Sequence, residues 1–600
     1  MDLWPWRYQP CVAKVFARLV PRTLIHCIFL NIKKAALAAF FMVTSLLHAF
    51  GILFFGWAWL AYDHYRPWVN FHSETLALLG VGLMLASRCL GVAGSSAKAP
   101  RAVFFVIALA LIPWMQYLLR ISFFAGDALV TSLFLGSLSA AIWLGYSYTV
   151  DERDSTKVLT PIFYTLWLVA LVSAAIGLLQ WLSLTEIFTV YLVQADDENN
   201  RAMGNLGQPN QLATLMLMGM ACLVWTFERR RIGQAGLFAG IGFMTIALVL
   251  SQSRAGMLSA LVVAIFLVYK NKADTYRLPT KHVLIWLLMF AVAVFALPYI
   301  HEVLLLSNSR GGVRFTDGAR SIMWRQMLAG IAESPWIGYG WNQTPTAHAA
   351  GSIAVPGSLT FSYAHNAVLD LLAWNGVPLG ALLTAAIAWW FAKRIKMAKD
   401  SNAVYAMAVL LPVAIHSMVE FPFAYSYFLL AAGLMVGVVE GSLPDQKTKR
   451  LDLRWVGAAL GIWFVLGTYM VYEYFLIEED FRVVRFENLR VGKTPADYEV
   501  PHIWMLSHMG SMLNAGRQQP TPGMNEQDIE NLRKTSLRFP YGALAVRYAL
   551  ALGLNGDPEG ATREMAVIRG MYGAFYYQAA VDVLRERQQQ YPELAKVLTP

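Results

Sequence analysis

Thirteen apolar stretches, separated by short polar loops, leave this chain few ways to fold. They fall roughly at 35–60, 74–93, 102–119, 128–149, 158–180, 211–227, 235–250, 256–269, 282–300, 367–391, 402–419, 426–441 and 455–476. A helix of this length spans a hydrocarbon layer of about 30 Å. In lipid a helix or a closed barrel alone satisfies its own backbone polar groups. The stretches at 235–250 and 256–269 are short and need their flanks to cross. Only 14% of the residues are charged and 57% are hydrophobic, whereas a soluble chain carries about 25% charge. A soluble domain has no interior large enough for that apolar surface, so lipid must cover it. The sequence predicts an all-α polytopic membrane protein with about 13 spans.

Short-loop Lys and Arg orient such a chain. With the N-terminus inside, the inner segments hold Arg7, Lys14, Arg18, Arg22, Lys33 and Lys34, then Lys98 and Arg101, then Arg153 and Lys157. Further inner segments hold Arg229–Arg231, then Lys270, Lys272, Arg277 and Lys281, then Lys393, Arg394, Lys396 and Lys399, and last Lys447, Lys449, Arg450 and Arg454. The outer loops hold only Arg66, Arg120, Arg201, Arg254, Arg310, Arg314, Arg320 and Arg325. The net charge of +10 is thus spread over inner loops and is not a nucleic-acid signal. Residues 1–34 are expected to form a basic cytoplasmic or interfacial segment without a cleavable signal peptide. Residues 35–477 would form the membrane domain, with long outer loops at about 181–210 and 301–366. Residues 478–600 would form a small helical domain, also outside. In that tail, small residues at helical spacing and a Gly-Asp-Pro turn between 541 and 569 suggest a helical hairpin of tetratricopeptide type. Cys11, Cys27, Cys89 and Cys222 show no C-x-x-C spacing, which argues against a disulfide framework and a structural zinc.

Binding and chemistry concentrate in loops held on a rigid scaffold, and the outer loops carry a distinctive set. Every outer basic residue is an arginine, whose fork suits phosphate oxygens. Arg254 sits in S-Q-S-R-A-G, a tight turn near membrane depth, where a charge is costly and is usually functional or paired. Arg310, Arg314, Arg320 and Arg325 cluster near Asp317, so contact with lipid headgroups or a salt bridge is the competing reading. His365 starts a span in Y-A-H-N-A-V-L-D and is a general-base candidate, although a lone histidine at a helix start is more often structural. His416 and Glu420 share another outer helix end, but the pattern lacks H-E-x-x-H and no metal is expected. Gly204–Gln211 reads G-N-L-G-Q-P-N-Q, with amides suited to sugar hydroxyls or phosphates, or with Asn210 as a plain helix N-cap.

Taken in order, S-R-A-G at 253–256, D-G-A-R-S-I-M-W at 317–324, E-S-P-W-I-G-Y-G-W-N at 333–342 and A-H-N-A-V-L-D-L-L-A-W-N-G-V-P-L-G at 364–380 resemble the O-antigen ligase and polymerase superfamily. G-N-L-G-Q-P-N-Q, H-S-M-V-E-F-P at 416–422 and the tail resemble its bacterial protein O-oligosaccharyltransferases, the PglL type. The resemblance implies a glycosyltransferase-C-like membrane fold in a Gram-negative inner membrane. It implies transfer of an oligosaccharide from undecaprenyl pyrophosphate to Ser or Thr of a periplasmic or pilin-like protein, with no metal or other cofactor. By the same resemblance His365 would be catalytic. Arg254, Arg320 and Arg314 would bind pyrophosphate, and Gln208, Asn210, Gln211, Glu420 and Tyr425 would contact substrate. The alternatives are an O-antigen ligase acting on lipid A core, a polymerase, and, from a different class, a transporter or flippase.

Overall fold

The computed structural model describes residues 22–62, 64–91, 95–150, 155–185, 201–272, 276–304, 318–444 and 447–599, with backbone only for 22–37, 155–157 and 319. These residues are predominantly helical. Each apolar stretch read from the sequence lies in a helix, and nine helices among the described residues are long and apolar enough to cross a membrane. Gln234–Leu250, Ser401–His416 and Ser426–Gly441 are shorter apolar helices.

Burial separates the helices into an inside and an outside. Helix Pro209–Glu228 is buried along nearly its whole length and forms the middle of the bundle. Helices Thr280–Val303 and Leu453–Leu489 lie at the rim, where Leu288, Met289 and Phe295 of the first and Trp455, Ile462 and Val465 of the second are exposed. Such faces suit lipid. Small residues let the inner helices approach closely, as membrane packing requires. A Cβ on Gly437 would lie 2.1 Å from the Ile142 carbonyl, and one on Gly145 would lie 2.0 Å from that of Leu434.

The bundle has two chemically distinct ends. At one, Ser96–Pro100 pairs antiparallel with Thr448–Asp452, Lys98 opposite Arg450. The sequence reading did not foresee this pair, because both strands are short, polar and far apart in the chain. At the same end, Lys270 donates to the Ala398 carbonyl at 2.7 Å, and Glu440 accepts from Arg394 at 2.6 and 2.9 Å. The basic loops are therefore gathered there. The opposite end holds His365, Arg320 and the C-terminal helices.

Residues 301–366 are not one plain loop. They include helices Gly318–Glu333 and Thr344–Ser352, which close on each other through Gly330 and Gly351. Next to them, E-S-P-W-I-G-Y-G and W-N-G-V-P-L-G interlock. The helical stretch Ala367–Met397 breaks at Gly376, whose φ is 73°. The carbonyls freed by that break are taken up by the partner motif: Tyr339 N donates to Ala373 O at 2.8 Å and Gly340 N to Trp374 O at 3.0 Å. Val377 N donates in turn to Pro335 O at 2.7 Å. A Cβ on Gly376 would meet the Trp336 carbonyl at 2.4 Å.

The tail contains two consecutive helices, Gly542–Leu554 and Pro558–Gln590, joined by a turn with Gly556 at φ 90°, the second capped by Asp557 and broken at Gly573. Helix Leu453–Leu489 runs through position 478 without a break, so the membrane helix itself carries the tail. Glu473 on it accepts from the backbone N–H groups of Trp504, Met505 and Leu506 at 2.6 to 3.1 Å, and Asp480 pairs with Arg517.

Gly376→Ala should destabilise the protein by about 1–3 kcal/mol from the positive-φ, extended backbone alone, and more from the collision with Trp336. Thermal unfolding in detergent checks this. An unchanged midpoint would mean that the interlock is not needed.

Candidate active site

The G-N-L-G-Q-P-N-Q element is held from below before it presents anything. Gly204–Leu206 form one 3-10 turn, with Gly204 and Gly207 at φ 60° and 71°. Gln180 Oε1 accepts from the N–H groups of Met203 and Gly204 at 3.0 and 2.8 Å, and its amide donates to the Gly204 carbonyl at 3.0 Å. Asn205 donates to the Leu60 carbonyl at 2.7 Å. Pro209 then opens the central helix, where its missing N–H costs nothing. Gln208, not Asn210, occupies the N-cap position, and its side chain makes no cap bond. Asn210 is thereby freed to reach across the bundle.

Four chain segments converge on one carboxylate. Glu420 lies in the turn after helix Ser401–His416, and its side chain is only about 5% exposed. Arg320 pairs with its Oε1 from the start of helix Gly318–Glu333. Asn210 Nδ2 donates to the same oxygen at 3.2 Å. His365 Nδ1 lies 2.6 Å from Oε2. Ser253 donates to Asn210 Oδ1 at 2.7 Å while accepting from Gly256 N as the N-cap of the helix that begins at Arg254. Burial pushes the Glu420 carboxyl up, but His365, Arg320 and His416 outweigh it and hold the group below the ordinary carboxylate value. A buried charge with such partners stays ionised, and removing a partner typically costs about 3–5 kcal/mol.

His365 is fixed by its backbone. Its φ is 50°, sparsely populated for a residue with a side chain. Asn366 caps the following helix by accepting from Val368 N and Leu369 N, and donates to the Met418 carbonyl at 3.1 Å. Ala367 N donates to Ser417 O at 2.8 Å. Fully buried Asp370 accepts from Ala364 N at 3.0 Å and from the Thr344 hydroxyl at 2.7 Å. Phe421 sets its ring against that of His365 at 4.8 Å, close to perpendicular.

The other expected site residues fall around this cluster. Arg254 is the first residue of its helix, beside Ser253. Gln211 is buried and accepts from the Tyr427 hydroxyl at 2.9 Å, so it faces the packed interior. Tyr425 stacks between Phe421 and Tyr427, and burial raises its phenol above the ordinary value. Gln208 is half-buried. Arg314, with Arg310 and Asp317, lies outside the described residues. The sequence reading missed Ser253, a plain cap residue whose partner is 43 positions away. It also passed over Thr214, which shares a 2.9 Å hydrogen bond with His416 Nδ1. Among the described residues, no three His, Cys, Asp or Glu side chains gather as a metal site.

A cavity of about 1420 Å³ opens at His365 and Tyr425. It continues along apolar walls that include Leu109, Leu135, Leu383 and Val436, and reaches Arg394 and Lys447 at the basic end. It is long and greasy, with a polar cluster at one mouth.

Comparison with known proteins now decides among readings of that shape. Residues 239–384 match the family described as O-antigen ligase, 202–227 the protein glycosylation ligase family, and 404–586 the C-terminal region of the virulence factor membrane-bound polymerase family. A general O-oligosaccharyltransferase of Acinetobacter baylyi is 28% identical over 86% of this chain and 91% of its own length. A ComP-specific O-oligosaccharyltransferase of the same organism is 24% identical over 65% of this chain and 70% of its own. The chain resembles a PglL-type protein O-oligosaccharyltransferase. Glu420, Asn210, Ser253, Arg254, Arg320 and His365 all fall within the matched segments.

The lowered Glu420 carboxyl has a consequence for stability. Its ionised form is favoured by folding, so its contribution is complete above the unfolded value of about 4.3. It is lost as pH falls through the lowered folded value. Thermal unfolding of wild type and Glu420→Gln should therefore differ most at neutral pH and converge in acid. A gap that widens in acid would contradict the assignment.

Proposed function

We propose that this chain transfers an oligosaccharide en bloc from undecaprenyl pyrophosphate to Ser or Thr of periplasmic or pilin-like proteins. The observation that carries this reading is the Glu420–His365 pair with Arg320, of which His365 lines a large, mostly apolar cavity. The groove suits a polyprenyl chain, and the arginine suits the phosphates to which that chain is joined.

The geometry supports a single displacement. His365 faces Glu420 through Nδ1, which leaves Nε2 to take the proton of the acceptor hydroxyl. Glu420 would fix the tautomer and balance the imidazolium, as a carboxylate does behind a catalytic histidine. Its role is then to orient His365 rather than to touch substrate. The hydroxyl oxygen attacks the anomeric carbon as the bond to pyrophosphate breaks. Negative charge grows on the leaving oxygen, where Arg320 and Arg254, with Arg314, would stabilise it. Attack opposite the leaving group inverts the anomeric centre. Gln208, Asn210, Gln211 and Tyr425 would shape the donor site, Gln211 and Tyr425 through packing.

In this account all thirteen apolar helices span a Gram-negative inner membrane in a glycosyltransferase-C-like arrangement. Residues 1–34 are cytoplasmic or interfacial, 35–477 form the membrane domain, and 478–600 form the periplasmic domain. The gathering of the basic loops at the end opposite His365 supports that orientation. The O-antigen ligase match at 239–384 favours one second reading, with lipid A core as acceptor.

Purified protein in lipid, given lipid-linked oligosaccharide, should glycosylate serine of a pilin-like protein and leave lipid A core unmodified. His365→Ala should lower the rate by about 10²–10⁴-fold and Arg320→Ala by about 10²–10³-fold. Transfer to lipid A core alone would favour the ligase. Full activity in His365→Ala would remove the histidine from the mechanism.

A further inference from the structure

The C-terminal helices do not stand apart from the cavity. Arg538, Phe539, Pro540 and Tyr541, between helices Glu526–Arg538 and Gly542–Leu554, line the same space as His365. They are fastened to the membrane bundle by a forked ion pair. Arg538 Nε lies 3.0 Å from each oxygen of Asp127, and Nη2 lies 2.8 Å from Oδ1. Asp127 sits in the first turn of helix Ala125–Thr149 with its side chain about 3% exposed, and Gln343 donates to it at 3.2 Å. Phe539 stacks on His508 and Tyr541 on Phe539, each with centroids 6.2 Å apart. Burial lowers His508 to about 4, so that ring is a neutral platform at physiological pH.

Trp68, from the first outer loop, lines the same space. Its indole N–H donates to Glu74 at 2.8 Å, and its ring packs against Phe71 and Phe134. Asn70, Thr131 and Asn342 add polar groups to this part of the lining, and Asn342 donates to Thr131 at 3.2 Å. The charged pair here, Asp127 and Arg538, is neutralised internally. Fixed ring faces among amides and hydroxyls suit a carbohydrate, whose C–H faces lie on rings and whose hydroxyls need both donors and acceptors.

We infer that Trp68, Phe539 and Tyr541 form an aromatic shelf that holds the sugars of the lipid-linked donor, and that Arg538 is a positioning residue for that shelf. The inference rests on the proposed reaction. Within it His365, the three rings and the apolar walls line one cavity, so the sugars would lie on the shelf while the lipid chain follows the apolar walls. The C-terminal helices thus become part of the donor site rather than a cap. A polypeptide occupant is the outcome that would defeat this.

The test uses the full chain in lipid nanodiscs, with KM measured separately for lipid-linked oligosaccharide and for acceptor protein. Trp68→Leu and Phe539→Leu should each raise the donor KM about tenfold, the scale of one lost aromatic contact. The acceptor KM should be unchanged and kcat should stay within about twofold. Arg538→Gln should show the same split, partly rescued by Arg538→Lys. A purely structural role would instead lower the folded fraction and leave both KM values alone. If a variant fails to fold, Asn70→Ala tests the same surface. A raised acceptor KM with unchanged donor KM, or no change in either, overturns the shelf. Equilibrium binding separates this from failure of the reaction itself. Wild type should bind undecaprenyl pyrophosphate bearing the glycan more tightly than the bare lipid pyrophosphate, and Trp68→Leu should lose that preference. That result upholds the shelf even if no transfer to protein occurs, and its absence refutes the shelf even if transfer does.

Discussion

A single buried carboxylate organises the end of this molecule opposite the basic loops. Glu420 lies where water hardly reaches, and an ionised group there is tolerated only with its counter-charges in place. Arg320 supplies the counter-charge, and His365 and Asn210 set polar groups against the carboxylate from two further parts of the chain. Much of the surrounding architecture serves to deliver those three groups. Gln180 shapes the turn that aims Asn210, and Asp370 with Thr344 fixes the backbone before His365. The interlock of Gly338 and Gly376 braces the segment after the helix carrying Arg320 against the helix that follows His365. Neither the arginine nor the histidine is held by its own helix alone. Loss of the carboxylate would unbind both at once, so positioning and charge balance are one property here.

The same arrangement reconciles two demands that usually conflict. A site for a lipid-linked pyrophosphate needs positive charge close to hydrocarbon, where isolated charge is costly. Pairing with Glu420 keeps the Arg320 charge compensated. The groove beneath is walled largely by apolar side chains, among them Leu109, Leu135, Leu383 and Val436. Its lining includes charged groups at both ends, among them Asp127 and Arg538 with His365 at one and Arg394 and Lys447 at the other.

Much of this was legible in the sequence, for reasons that also mark where legibility ends. Long apolar stretches announce helices because lipid permits little else. The alternation of strongly basic and lysine-free loops separates the two ends in the sequence alone, since it depends on composition and not on packing. Asn210, Arg254, Arg320, His365 and Glu420 stood out as polar groups at outer helix ends. Their convergence did not, because Asn210 and Glu420 are 210 positions apart and no local pattern encodes the contact. Asp127 and Arg538, 411 positions apart, gave no signal at all. The strand pair at 96–100 and 448–452 is polar and five residues long on each side, too short for periodicity. Helix Thr344–Ser352 is built of small residues whose burial comes from packing on Gly318–Glu333, which no single stretch reveals.

The central claim is that a hydroxyl activated by His365 displaces pyrophosphate in one step, with Glu420 behind the histidine rather than acting as a nucleophile. The anomeric configuration of the product tests this most directly. A donor of known configuration at its reducing-end sugar would be offered to the purified protein, and the glycosylated serine peptide examined by NMR. The account predicts the opposite configuration in the product. Retention would mean that a glycosyl-enzyme intermediate forms first, and would contradict it.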